Sequence, residues 1–377
     1  MKATLSVALL FLLALSGGCR SGRTRTDTDL RGRVVDRNGK AVSGARITAP
    51  GALPTATDSS GAFRLRGVGS ASQVAVSFSA SGFVNTTRIL AQRVQDGNGN
   101  TIIVWPRAAP VSIDSAAGGR IPFSNGGSIS IPGNALVDES GQPVIGQVAA
   151  SVTYFDVSDP DQIRAVPGNF EATMRDGSKR RLESFGIIEI SVTDSGGRRV
   201  ELARGRTADV QIPIARAFVD RAPDRTGSFS FDSAAGLWVE EGVFIRHGLV
   251  YTGTIDRFDW SWNTDDPLDT TCMTFKVVRP WINNQPEVNC LVEATGVSYG
   301  SVSSGYTDSQ GLVCLLVKRN AQVKIKAYST QIANYQSVPV TITSPNTAAG
   351  AADCGNPGTC PLTDVALDII VGGGVTP

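Results

Sequence analysis

The chain contains a single histidine, His247, within the apolar stretch VFIRHGLVY. A histidine that acts as a general base needs a nucleophile and an orienting acid placed around it. We expect no nucleophile elbow of the G-x-S-x-G type, and no glycine-rich phosphate loop occurs. We therefore interpret His247 as an ordinary strand residue and predict a protein that is not an enzyme, with no catalytic residue and no cofactor.

Acidic residues form two groups that could be considered as calcium ligands. Asp156, Asp159 and Asp161 lie in one predicted loop, and the second group lies near the end of the central part of the chain. Calcium needs about six to eight oxygens that converge on one point, and neither group has EF-hand spacing. We expect solvated turn carboxylates and no metal site, including in the second group, which comprises Asp256, Asp259, Asp265, Asp266 and Asp269.

Two tryptophans, Trp260 and Trp262, are spaced to share one face of a strand. An exposed pair of aromatic rings can stack on a sugar or a peptide, so this pair is the candidate ligand-binding site. The alternative is that the rings close a core or a seam between modules, which is the more usual role of tryptophan in antiparallel modules.

Apart from Cys19, all cysteines lie after residue 270, which is typical of an exported domain with oxidised bridges. Strand alternation places Cys290 on the inward face and places Cys272 and Cys314 on the opposite face. Five thiols can form two bridges in many ways. We predict a local bridge between Cys354 and Cys360, a second bridge between Cys272 and Cys314, and a buried free thiol at Cys290.

The first nineteen residues have the pattern of an export signal: Lys2, an apolar run from Leu5 to Leu15, and small residues before Cys19. The run is too short to span a bilayer. The ending LSGGC resembles the bacterial lipoprotein box, which implies lipidation of Cys19 and membrane attachment at the outer membrane or cell surface. The alternative is plain secretion or release into the periplasm. Residues 20–29 are polar and are predicted to form a tether.

Charge and composition exclude several classes of partner. The 377 residues include 35 Lys and Arg against 34 Asp and Glu, so no nucleic-acid partner is indicated. The counts of 41 Gly and 19 Pro, together with the lack of long helical periodicity, favour many short strands joined by turns.

The phrase TDSSGAFRL at 57–65 returns as TDSQGLVCL at 307–315. Around each copy, alternating strands flank turn residues in the same order: Val34-Val35 corresponds to Val277-Val278, and ARITA at 45–49 corresponds to CLVEA at 290–294. The repeat predicts two β-sandwiches, at 30–108 and at 269–377, on either side of a larger central β-region at 109–268. The fold class is therefore all-β and multi-domain.

The first copy, with G-x-V-V-D-x-x-G-x-x-V-x-G-A followed by T-D-x-x-G-x-F-x-L, resembles the carboxypeptidase regulatory-like domain, a transthyretin-like sandwich. The second copy resembles it more distantly, because it lacks the Gly-Ala pair. The phrases IPGNAL, LESFGIIEI, LWVEEG and FDWSWN in the central region are similar to cartilage intermediate layer protein and to bacterial surface lipoproteins. These resemblances imply an extracellular, non-catalytic protein with a structural or adhesive role. The zinc site of carboxypeptidases that carry this domain needs two histidines, which this chain lacks.

Two function hypotheses follow. The first is a lipid-anchored cell-surface scaffold with a rigid elongated shape and no turnover on any substrate. The second is capture of a glycan, a peptide or another protein ligand through loops or through Trp260 and Trp262. An enzyme of unknown type is the least favoured reading.

Overall fold

The computed structural model describes residues 28–68, 73–91, 100–258, 262–329, 335–347, 354 and 360–371. The leader, Cys19, most of the predicted tether and Trp260 lie outside these residues. Within them no helix is long and apolar enough to cross a membrane. Strands dominate throughout, so the all-β prediction is confirmed.

The first sandwich packs a three-stranded sheet against a four-stranded one. Its strands are β1 (Thr28–Asp36), β2 (Arg46–Thr48), β3 (Thr55–Ala56), β4 (Ala62–Val68), β5 (Gln73–Ser79), β6 (Thr86–Ala91) and β7 (Thr101–Val104). One sheet has the order β4-β1-β7 and the other β3-β2-β5-β6. Because side chains alternate along each strand, residues such as Val34, Leu65 and Phe78 point inward and form one buried core.

The central region is built around one large sheet. Its first strands are β8 (Val111–Asp114), β9 (Gly118–Pro122), β10 (Ser128–Pro132), β11 (Leu136–Asp138), β12 (Gln147–Phe155), β13 (Glu171–Thr173) and β14 (Lys179–Asp194). The remaining strands are β15 (Val200–Leu202), β16 (Ala208–Pro213), β17 (Arg225–Asp232), β18 (Leu237–His247), β19 (Val250–Ile255) and β20 (Trp262–Pro267). Its helical elements are α1 (Pro160–Ala165) and two short 3-10 turns, Ser124–Gly126 and Arg216–Arg221.

Eleven of these strands follow the order β12-β8-β9-β10-β16-β19-β18-β13-β14-β20-β17, and β11 pairs with β15. The extra pairings β12 with β14 and β17 with β18 close the sheet upon itself. Closure removes free edges and creates an interior that large side chains fill. Trp238, Tyr251 and Trp262 are all buried there.

The second sandwich repeats the strand pairing of the first. Its elements are β21 (Thr270–Arg279), a 3-10 turn (Pro280–Ile282), β22 (Gln285–Pro286), β23 (Leu291–Gly296), β24 (Val302–Tyr306), β25 (Leu312–Lys318), β26 (Gln322–Tyr328), β27 (Tyr335–Ser337), β28 (Val340–Thr343) and β29 (Leu362–Val371). The antiparallel pair β1–β4 corresponds to β21–β25, and the parallel pair β1–β7 corresponds to β21–β29. Likewise β2–β3, β2–β5 and β5–β6 correspond to β23–β24, β23–β26 and β26–β28.

The repeated phrase forms the same turn in both sandwiches. One carboxylate oxygen of Asp58 accepts the amides of Ser60 and Ala62, at 2.8 and 3.0 Å. Asp308 accepts the amides of two residues at the same spacings, at 2.8 and 2.9 Å. Gly61 and Gly311 adopt φ of 78° and 74°, and a Cβ at either position would collide with a neighbouring backbone carbonyl. The phrase is therefore structural.

The missing Gly-Ala pair of the second copy is replaced by residues that make the same contacts. Asn289 has a positive φ of 56°, as Gly44 has at 72°, because asparagine tolerates the left-handed region. The amide of Cys290 donates to the hydroxyl of Thr307 at 2.9 Å, as Ala45 does to its own threonine at 2.8 Å. Cys290 thus takes the place of a buried alanine, and the prediction of a buried free thiol is confirmed.

The predicted disulfide pairing is wrong. The bridges are Cys272–Cys360 and Cys314–Cys354, and not Cys272–Cys314 with Cys354–Cys360. Cys272 and Cys314 do share one face of adjacent strands, but their direct register partners are Leu316 and Thr274. Diagonal neighbours on adjacent antiparallel strands lie about 7–8 Å apart, and somewhat less between Cβ atoms, whereas a disulfide needs Cβ atoms about 3.5–4.5 Å apart. Each cysteine instead bonds to the segment that leads into β29.

We expect the two bridges to stabilise the second sandwich by similar amounts. The bonded cysteines are separated by 88 and 40 residues, for which the chain-entropy model gives about 4–5 and about 4 kcal/mol. The double variants Cys272→Ala/Cys360→Ala and Cys314→Ala/Cys354→Ala should each lower the free energy of unfolding by a comparable amount in urea titrations.

The control is the parent protein under reducing conditions, which should lose at least as much stability as either double variant. A non-reducing peptide map that linked Cys272 to Cys314 would contradict the observed pairing.

Candidate functional site

Trp262 does not form an exposed binding face. The residue is 1% exposed in β20, and its indole nitrogen donates to the carbonyl of Arg257 at 3.3 Å. The Arg257 guanidinium lies 5.4 Å from the ring centre. Residues 262–265 of β20 are all buried, and Trp262 belongs to the hydrophobic core of the central region. The prediction of a Trp260–Trp262 ligand face is therefore wrong for Trp262, while Trp260 lies outside the described residues.

His247 is exposed at the end of β18, next to the turn that leads into β19. The sequence also contains GVSYG at 296–300, which has the spacing of a nucleophile elbow and which the sequence analysis did not identify. In the structure this stretch connects the antiparallel strands β23 and β24 as a hairpin, with Ser298 exposed. An elbow needs a strand-to-helix turn, so this hairpin does not provide one.

The first acidic group has structural roles. Asp156 accepts the amide and hydroxyl of Ser158, at 2.9 and 2.6 Å. Asp159 caps α1 by accepting the amide of Asp161 at 2.9 Å. Such bonds satisfy backbone donors that a turn or helix start leaves free.

In the second acidic group, Asp256 and Asp269 pair with Arg257 and Arg319, at 3.0 and 2.6 Å. Asp265 differs, because it is fully buried, and the prediction of a solvated turn residue is wrong there. Among the described residues, the one cluster with the spacing of metal ligands is Cys272, Cys314 and Cys360. The sulfurs of these three cysteines are bonded in disulfides.

Asp265 lies on β20 opposite Ser184 of β14 and Gly227 of β17. Neither carboxylate oxygen makes a hydrogen bond of standard geometry within the described chain, and the same holds for the side-chain amide of buried Asn263. Burial raises the pKa of Asp265 well above its usual range, and the negative charges of Asp266 and Glu183 add to the effect. Asp265 is therefore most stable in the neutral form.

Replacing Asp265 by Asn should stabilise the protein at pH 8 but not at pH 4. The folded-state pKa is raised, so the aspartate contributes fully below about pH 4, where unfolded aspartate is also protonated, and this contribution is lost as the pH rises. Asparagine does not ionise, so we expect a gain at pH 8 of about 1.4 kcal/mol or more, the free energy that corresponds to a tenfold change in the folded-state ionisation constant. Urea titrations at the two pH values measure this difference.

The matched control is Asp209→Asn, which alters an exposed aspartate on β16. It should leave the midpoint nearly unchanged at either pH. An equal effect of Asp265→Asn at pH 4 and pH 8 would show that ionisation of this residue is not involved.

All three modules meet around helix α1. The guanidinium of Arg88, in the first sandwich, donates to the carbonyls of Arg164 and Val166 at the end of α1. Arg164 itself pairs with Glu293 of the second sandwich at 3.0 Å. The hydroxyl of Tyr306, also in the second sandwich, contacts the Asn100 side chain of the first at 3.5 Å. The two sandwiches therefore contact each other as well as the central region.

Charges at this junction are partly buried and paired. Burial lowers the pKa of Arg88 to about 10, while the negative charge of Glu293 acts in the opposite direction. Glu293 also raises the pKa of Arg164. A second contact joins Glu183 to Lys318, at 2.6 Å, and to Arg221. Such pairs fix relative orientation, because either ion alone would be unfavourable in the interior.

A groove of about 330 Å³ lies where the first sandwich meets the central sheet. Three aromatic residues, Trp105, Phe123 and Tyr154, line it together with Arg37. None of these aromatic residues was selected by the sequence analysis. They come from three separate strand ends, so no spacing in the sequence could have grouped them.

Comparison with known proteins supports the reading of the first sandwich. Residues 29–104 match the family model of the carboxypeptidase regulatory-like domain, which confirms that resemblance. The chain is 26% identical over 236 residues to cartilage intermediate layer protein 2 of Mus musculus, covering 60% of this chain and 20% of that protein. It is 22% identical over 231 residues to cartilage intermediate layer protein 1 of Homo sapiens, covering 59% and 19%. The chain spans about a fifth of the length of these relatives.

The matches among solved structures include two Bacillus proteins. The TIE protein of Bacillus anthracis has 11% identity and a TM-score of 0.18, covering 85% of this chain and 48% of that one. The major pilin subunit BcpA of Bacillus cereus has 11% identity and a TM-score of 0.18, covering 91% and 99%. At these scores the likeness carries no argument about function.

Proposed function

We propose that this protein is a non-catalytic scaffold, exported to the cell surface and held there by lipid on Cys19. The observation that carries the proposal is the junction around α1, where a half-buried ion pair and hydrogen bonds join the three modules. Modules joined in this way keep a fixed relative orientation, which suits a scaffold that presents its surfaces rigidly. The two disulfides are consistent with an oxidising compartment, as the export-like leader predicts.

The non-catalytic part of the proposal is supported by the candidate catalytic residues. His247 is exposed at a strand end and Ser298 lies in a hairpin of a different module. General base catalysis needs the base within hydrogen-bond reach of its nucleophile and held by a third group. The similarity to cartilage intermediate layer proteins is compatible with a structural role.

Lipid attachment at Cys19 predicts a specific labelling pattern. Cells that express the full chain should incorporate a palmitate analogue into this protein, and Cys19→Ala should abolish the label and release the protein from the membrane fraction. A single acyl chain binds membranes only weakly, so stable retention needs more than one chain.

The control is Cys290→Ala, which alters the buried free thiol and should leave labelling unchanged. Label that persisted in Cys19→Ala would refute attachment at this position, and an unlabelled but secreted parent protein would favour plain secretion.

The rigid-body part of the proposal predicts that Glu293→Gln loosens the junction. This variant removes the negative charge beside the half-buried Arg164 and Arg88, so we expect a cost between about 1 kcal/mol, typical of exposed pairs, and the roughly 3–5 kcal/mol of fully buried ones. We expect a lower midpoint of thermal unfolding and faster proteolytic separation of the second sandwich from the other modules.

The control for this variant is Glu139→Gln, which removes an exposed carboxylate from the turn after β11. It should behave like the parent protein. If Glu293→Gln were cleaved at the parent rate, the junction would not be what holds the modules together.

A further inference from the structure

We propose that the groove between the first sandwich and the central sheet binds an acidic sugar residue, with Trp105 and Phe123 against the sugar ring and Arg37 paired with its carboxylate. This groove does not include Trp262, and the proposal does not depend on lipid attachment at Cys19.

The two aromatic rings are held in place by their surroundings. Trp105 follows β7 directly, its carbonyl accepts the amide of Val84 at 2.8 Å, and its ring centre lies 6.4 Å from that of Phe155. Phe123 follows β9 and its amide donates to the carbonyl of Gly127 at 3.0 Å. A Cβ at Gly127 would collide with the Phe123 ring, so this glycine provides the space that the ring occupies. Both rings are partly buried and partly accessible, as stacking on a ligand requires.

The charge of the groove is uncompensated. Arg37 is the one charged side chain among the residues that line it. Its guanidinium lies 5.5 Å from the centre of the Trp105 ring, and within the described part of the chain no carboxylate pairs with it. Stacking on an aromatic ring leaves the edge of a guanidinium free to donate two parallel hydrogen bonds, which is the geometry that a carboxylate accepts. A ligand with a carboxylate next to a flat or weakly polar ring therefore complements the site.

Size and polarity favour a sugar over an extended peptide. A cavity of about 330 Å³ is near the lower end of the range for small-ligand sites, which suits one or two rings. The hydroxyl of Ser124, which is exposed and lines the groove, can exchange hydrogen bonds with sugar hydroxyls. Two of the lining residues, Pro106 and Pro122, lack the amide hydrogens that a peptide strand would need for pairing.

The test compares a tetrasaccharide that carries carboxylates with its uncharged methyl ester. Purified full chain is titrated calorimetrically with tetragalacturonate and with its fully methyl-esterified form, followed by tetramers of mannuronate and of hyaluronan as further acidic probes. We expect the acidic form of at least one probe to bind with a Kd below about 1 mM, and its affinity to fall as salt is raised. The affinity of the acid should be about tenfold or more above that of its ester.

Three variants test the assignment of residues. Arg37→Gln should weaken the acidic ligand by about tenfold and leave the methyl ester unchanged. Phe123→Ala should weaken both forms, with folding checked by circular dichroism. Lys40→Gln, which removes a cation from the same turn but not from the groove, is the matched control and should bind as the parent protein does.

The proposal would be overturned by any of three results. These are no binding of any acidic tetramer at 1 mM, equal binding of acid and ester, or unchanged affinity in Arg37→Gln. If a peptide with a terminal carboxylate bound instead, with the same dependence on Arg37 and Phe123, the groove would be a peptide site and the sugar assignment would be wrong.

Discussion

The fold depends on one recurring interaction, an aspartate carboxylate that accepts two backbone amides within a D-x-x-G turn. It occurs not only at Asp58 and Asp308 but also at Asp36, Asp138 and Asp194, with amide-to-carboxylate distances of 2.8–2.9 Å at Asp36 and 2.9 Å at the other two. In each case the aspartate carbonyl also accepts the amide of the glycine three residues later. In a protein made almost entirely of antiparallel strands, a slip of one residue moves every side chain to the opposite face. These turns fix the pairing register of the strands that they join, and that register decides which side chains enter each core.

A second constraint acts between modules. Arg88, Arg164 and Glu293 belong to three different modules, and their contacts at the end of α1 form only when all three modules are in place. The carbonyls at the end of α1 accept hydrogen bonds from Arg88, so a helix of six residues serves as the meeting point. The groove at Trp105 depends on the same arrangement, because its walls come from the first sandwich on one side and the central sheet on the other.

Local pattern was sufficient to predict the sandwiches, because the signals for a strand and for its turn lie within a few residues of each other. The equivalence of Val34 with Val277 and of Ala45 with Cys290 could be read from the two copies alone. Contacts between residues far apart in the sequence could not be predicted from local pattern. The inward position of Trp262 depends on closure of the central sheet, and the partner of Cys272 depends on how the segment before β29 crosses the second sandwich. The groove joins residues from the ends of β7, β9 and β12, whose proximity no local spacing encodes.

The second sandwich has an odd number of cysteines, and the position of each sulfur decides which of them can exchange with another. Cys314 Sγ is 3.3 Å from Cys360 Sγ, so the two disulfides touch, and a thiolate nearby could exchange one bridge for another. Cys290 is the one free thiol in the described chain, yet it lies in the core formed by the inward faces, among residues such as Val292, while the bridges occupy the outer face. Burial also raises the pKa of Cys290, so the reactive thiolate is scarcely formed. The β-sheet thus separates the free thiol of Cys290 from the two disulfides and prevents thiol–disulfide exchange between them.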